Sequence, residues 1–165
     1  MKRQWRVVIG FLLMNRYAFA MMDNAQMSVW VNEAIVETYT YNFEDIISRQ
    51  KEFAKYFTAE GWINYTKALN ATNLLDAVKK NKYTVSAVAT LPPSIKKIGP
   101  QEWEAVMTLL AMYKNPQHQQ TQTLEVVMDF IEAPEGQGVR GLAITSFQAK
   151  KSKPPCVCSK DINPL

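Results

Sequence analysis

The run Phe53-Ala-Lys-Tyr-Phe-Thr-Ala-Glu-Gly-Trp-Ile-Asn-Tyr-Thr-Lys-Ala-Leu69 places the tightest limit on the fold. Upstream of and into it, Phe43, Ile46, Ile47, Phe53, Ala54 and Phe57 recur at steps of three, four and seven, the apolar stripe of a helix that buries one face. Thr58 then offers a hydroxyl to cap a new helix, and Glu60 puts negative charge near its positive end. Gly61 stands where a capping box would place Glu or Gln. Trp62, Tyr65, Thr66 and Leu69 continue the buried side of this second helix. Two helices joined end to end, with aromatic rings on both sides of the joint, form an elbow that needs a broad apolar surface to lie on.

The rest of the chain supplies that surface. Val31, Ile35 and Tyr39 fall four apart within Ser28 to Tyr41, which predicts a helix before the elbow, and Asn42 with Glu44 and Asp45 predicts the start of the next. The elbow's second helix should end near Thr72, and Asn73 should cap a short fourth helix that stops by Asn81. Beyond Lys82 the period changes from about 3.6 to 2. Tyr83 to Thr90 reads as a strand closed by Pro92-Pro93, and Ser94 to Ile98 as a short edge strand. Gln101 to Lys114 puts Trp103, Ala105, Met107, Leu109, Ala111 and Tyr113 on one face. After a polar turn at 115–120, Thr121 to Glu132 returns with Leu124, Val126, Met128 and Phe130 together, and Val139 to Ala149 is the last strand. Helices first, then hairpin-linked strands, predict an α+β domain with the N-terminal helices packed on one face of a curved antiparallel sheet.

The chain of 165 residues is long enough for one core. Its net charge of +4 comes from the start: four of the nineteen Lys and Arg and none of the fifteen acids lie in residues 1–20, leaving fifteen of each beyond. That balance gives no electrostatic footprint for nucleic acid. Lys2, Arg3 and Arg6, the apolar run Val7 to Met14 and the small-x-small triplet Ala18-Phe19-Ala20 follow one another as in an export signal. The expected division is therefore a signal peptide at 1–20, a single α+β domain at 21–149 and a loose tail at 150–165, with no transmembrane helix in the mature chain. Cys156 and Cys158 are the only cysteines. Export would permit a disulfide between them, in a tight strained ring, or pairing with another molecule. Two thiols alone make a poor zinc site.

Several segments resemble the IcmL/DotI family: Ala34-Ile-Val-Glu-Thr-Tyr-Thr-Tyr-Asn-Phe43, Tyr56-Phe-Thr-Ala-Glu-Gly-Trp62 and Ala68-Leu69. The resemblance continues through Val85-Ser-Ala87, Ile95 with Gly99, Trp103, Leu124-Glu-Val126 and Gly138-Val-Arg-Gly-Leu-Ala-Ile144. It covers residues 30 to 148 in order, and its elements are packing residues. The family comprises inner-membrane components of type IVB secretion and related conjugation machines, and its periplasmic domain is similar to the nuclear-transport-factor-like cone fold. The resemblance implies a periplasmic module that assembles with itself or with secretion-apparatus proteins, and no reaction. Phe57, Gly61, Trp62 and Trp103 are expected in its structural core, with a cost of about 3–5 kcal/mol for truncating a buried Trp62. Apparatus members carry a cytoplasmic N-terminus and a membrane helix, so this chain resembles a soluble periplasmic relative.

Little in the sequence points to chemistry. Cone folds also host enzymes and binders of small molecules, so fold alone decides nothing. An isomerase-type pocket would need a carboxylate base in an apolar cavity. Glu102, Glu104, Glu125 and Asp129 lie on the strands but out of phase with the aromatic face, which predicts solvated carboxylates. His118 is the only histidine and sits in a polar turn. No catalytic residue, cofactor or metal ligand is expected. The alternative is a small apolar ligand, or an enzyme's substrate, in a cavity lined by aromatic residues with Met107 and Met128. A factor released from the cell is a third reading. Asn64 and Asn70 match the glycosylation pattern by chance, and Lys150, Lys151 and Lys153 read as a solvated tail with the option of acidic partners.

Overall fold

A computed structural model describes residues 23–153; the expected signal peptide and the cysteine pair lie outside this range. The chain opens with α1 (Asn24–Thr38). Asp23 accepts from the Gln26 amide at 2.7 Å and donates its own amide to the Gln26 side chain. This complete capping box starts the helix four residues before the hydrophobic period does, because Asp23-x-x-Gln26 sets the first turn where no apolar stripe is yet present. Trp30, Val31, Ala34 and Ile35 are fully buried, so α1 is the central helix against the sheet.

Tyr41 and Asn42 form the short strand β1, absent from the sequence expectation because two residues carry no period. Asn42 folds an Asx turn, its side chain accepting from the Glu44 and Asp45 amides, and delays α2 to Ile46–Ala54. The elbow leads into α3 (Ala59–Ala71) and then α4 (Leu74–Asn81). Asn73 is left-handed and gives no side-chain cap, contrary to the role expected of it; its backbone makes the corner instead.

The strands are β2 (Thr84–Ala89), β3 (Ser94–Gly99), β4 (Glu102–Lys114), β5 (Gln119–Glu132) and β6 (Leu142–Lys151). All pairings among them are antiparallel, in the order β1-β2-β4-β5-β6. Strands β2 and β3 share one edge of β4, β2 along its second half and β3 along its first. Alternation works as expected on β4 and β5: Ala105, Met107, Leu109, Ala111 and Tyr113 are buried with Leu124, Val126, Met128 and Phe130. The last strand runs to Lys151, beyond the expected domain end at 149. Lys150 lies opposite Glu125, its ammonium 2.7 Å from the carboxylate, and the Ser152 amide still donates to the Thr123 carbonyl. The lysines at 150 and 151 thus belong to the sheet.

Candidate functional site

The elbow is fastened to the start of β6. The Thr58 amide donates to the Ile144 carbonyl at 2.9 Å and the Ile144 amide to the Tyr56 carbonyl at 2.8 Å, a parallel bridge in miniature. Thr58 caps α3 through the Gly61 amide at 3.0 Å, and Gln137 takes the Ala59 amide at 2.9 Å. Gly61 is buried and faces the strand directly; a Cβ there would stand 2.5 Å from the Ile144 oxygen and 3.1 Å from the Thr145 Cα. Only a residue without a side chain lets the helix approach this closely.

Of the four residues expected in the core, Phe57 is buried, its ring 4.8 Å from Phe53 and 5.4 Å from Trp62. Trp62 and Trp103 are half-buried and pack on the core from its margin, Trp103 stacked on Phe130 at 5.5 Å. Trp30, which lies beside the Val31 and Ile35 stripe of α1 but is not one of the four, is wholly enclosed beside Phe130 at 5.2 Å, with its indole N–H unpartnered among the described residues.

Between α3 and α4, the end of α2, the inner face of the sheet and β6 lies a cleft of about 870 Å³. Its apolar wall includes Ile46, Phe53, Leu69, Leu75, Leu124 and Phe147, and Tyr39, Tyr41, Tyr65 and Tyr113 also line it. Burial raises the pKa of all four phenols, and for Tyr39, Tyr41 and Tyr65 the neighbouring phenols raise it further. None of these hydroxyls has a hydrogen-bond partner among the described residues, and none is fully enclosed. At the rim Arg49 is paired with Glu37 at 3.0 Å and donates to the Thr40 carbonyl.

The four candidate carboxylates are elsewhere, on the opposite face of the sheet. Glu104 and Asp129 are direct cross-strand neighbours. Partial burial, followed by Glu104 and Glu102, raises the Asp129 pKa. Glu125 is held by Lys150. None of these four lines the cleft; the acid that does is Glu37, held by Arg49 at the rim. His118 is exposed in the β4–β5 turn, where its backbone amide donates to the Asn115 side chain. Among the described residues no three His, Cys, Asp or Glu side chains assemble as metal ligands do, and no helix is long and apolar enough to cross a membrane.

The fold is a nuclear-transport-factor-like cone, helices held by a curled antiparallel sheet. A solved member of that superfamily from Salmonella enterica serovar Typhimurium matches with a TM-score of 0.53 at 12% identity, covering 83% of this chain and 99% of its own. Residues 19–151 match the family described as a type IVb secretion system, inner-membrane complex component. The chain belongs to this DotI/IcmL family. An IcmL-like type IV secretion system protein from Legionella pneumophila is 51% identical with a TM-score of 0.80, over 82% of this chain and 98% of that one. The periplasmic domain of DotI is 32% identical with a TM-score of 0.76, over 80% and 98%. No curated protein matches the chain significantly.

Proposed function

We propose that the chain is a non-enzymatic, periplasmic interaction module that binds itself or other proteins of a type IVb secretion apparatus. The observation that carries this reading is the family match, which spans the whole described fold from α1 to the end of β6. Similarity to a domain of DotI that is itself periplasmic supports the location. The strand carboxylates lie outside the apolar cleft, and Glu37 on its rim is paired with Arg49, which supports a role without turnover. Cell fractionation with N-terminal sequencing of the mature protein, followed by affinity purification after cross-linking, tests both halves. Recovery from the periplasm with envelope secretion proteins or as an oligomer is expected. A cytoplasmic protein with an intact N-terminus, or a monomer that captures none of them, overturns the proposal.

The cleft favours a second reading, a small apolar ligand held by tyrosine hydroxyls. Its volume and its apolar lining with a few polar groups fit that use. Native mass spectrometry of protein purified from its own host would retain such a ligand, and a mass equal to that of the bare chain would remove the idea.

A further inference from the structure

Six residues of β6, Thr145 to Ala149 and Lys151, line the cleft. Successive side chains of a strand point to opposite faces, so a cleft lined by consecutive residues is bounded by the strand's edge. The Ser152 amide donates to Thr123, one register step beyond the Leu124–Lys151 pair. In an antiparallel ladder the bonded pairs alternate, so Lys150, Gln148 and Ser146 also turn their backbone groups toward β5. Phe147, Ala149 and Lys151 turn theirs outward. Earlier in the strand Ile144 does the same, and its groups are taken by Tyr56 and Thr58 of the elbow. Those of Phe147, Ala149 and Lys151 have no partner among the described residues.

We infer that this edge, facing α3 across the cleft, binds an extended segment of a partner protein as one further antiparallel strand. The inference rests on the interaction-module reading and names its recognition surface. A row of outward N–H and C=O groups at strand spacing is matched by another extended backbone. From Phe147 to Lys151 it spans roughly 14 Å, room for about five residues. Ala68 and Ala149 keep the two walls low where that backbone would pass. Side chains of the added strand opposite Phe147 and Ala149 would point into the apolar cleft, whose wall includes Phe53, Leu69 and Leu124. The one opposite Lys151 would meet its ammonium and that of Lys153. The edge therefore selects a segment with apolar residues at alternate positions and an acid toward its N-terminal end. The same lysines discourage unselective pairing.

The probe is the peptide acetyl-Ser-Glu-Thr-Val-Thr-Val-Ser-amide, titrated into the isotopically labelled full chain and followed by NMR and amide exchange. Expected are shifts and slowed exchange at the Phe147, Ala149 and Lys151 amides, with little change at Gln148 and Lys150, already bonded to β5. Ala149→Pro removes an outward N–H without touching the ladder, and Lys151→Glu reverses the charge. Each should weaken binding about fivefold to tenfold while leaving the spectrum of the fold intact. A peptide methylated on the backbone nitrogens that face β6 should not bind. Equal binding by the methylated peptide, shifts confined to the tyrosine walls, or outward amides already protected without peptide would each overturn the inference. None of these results would affect recovery of the protein with its apparatus, so the two readings fail separately.

Discussion

Gly61→Ala is the sharpest perturbation of this architecture, because two effects of opposite sign compete and their sizes are known. On an exposed helical site the change would stabilise by about 0.5–1 kcal/mol, through lower unfolded-state entropy and better helix propensity. Here the new methyl would lie 2.5 Å from the Ile144 oxygen, 3.1 Å from the Thr145 Cα and 3.0 Å from the Thr58 hydroxyl. Two of those three atoms are backbone, so the helix has to retreat from β6. Overpacking of this kind costs about 1–3 kcal/mol. Retreat also stretches the bond from the Thr58 amide to Ile144, at roughly 1 kcal/mol, and disturbs the Thr58 cap for about as much. The net expectation is a loss of about 2–4 kcal/mol. Urea denaturation followed by tryptophan fluorescence and far-UV circular dichroism measures it as a lower midpoint at unchanged slope. A variant as stable as the parent, or more so, would show that α3 does not rest on β6.

Phe57→Ala should cost about 3–5 kcal/mol in the same titration, as truncation of an enclosed aromatic does, whereas half-buried Trp62→Ala should cost about 2 kcal/mol, below the sequence-based figure. Asp129→Asn should raise the melting temperature at neutral pH by no more than about 2–4 °C. Its raised pKa means the folded state holds the proton more tightly, so the parent recovers stability as pH falls through that pKa and the gain of the variant disappears in acid. Tyr39, Tyr41 and Tyr65 behave in the opposite pH range. Their folded pKa values lie above the ordinary tyrosine value, so their contribution is complete below about pH 10 and is lost as pH rises above it. Tyrosinate absorbance should appear together with loss of circular dichroism; smooth ionisation of every tyrosine in a still-folded protein would contradict a desolvated cluster.

The helices and long strands were legible because burial on one face imposes a period, and β4 and β5 alternate without a break from Ala105 to Tyr113 and from Leu124 to Phe130. What escaped had no period to read. Strand β1 is two residues fixed by Val85 and Thr84, far along the chain. The start of α1 was written in the Asp23–Gln26 box and lost beneath the apolar pattern. The tail boundary failed because Lys150 and Lys151 look solvated in isolation, while Glu125 and Leu124 give them a register. Trp62 and Trp103 read as core from their places on periodic faces, but a period does not say how deep a ring sits. The cleft was the least legible feature, since its walls come from eight elements that the sequence keeps apart.

That cleft follows from the elbow. One end of α3 is held against β6 by Ile144 and Gly61, and its other end turns into α4 through the left-handed Asn73. Between these fixed points Asn64, Ala68 and Leu69 line the cleft opposite the last strand, and the Tyr65 ring reaches across to pack edge-on against Phe147 at 5.5 Å. The elbow also uses the edge groups of β6 only at Ile144, which leaves those of Phe147, Ala149 and Lys151 for something else. A sheet edge kept unpaired beside an apolar wall is a hazard in a protein meant to stay alone and an asset in one built to be joined. The glycine that fastens the helix and the strand that offers its edge are thus parts of one arrangement. If Gly61→Ala shifts α3, it should weaken peptide binding at β6 before the protein unfolds. Unchanged affinity in a Gly61→Ala protein that is destabilised but still folded would uncouple the two.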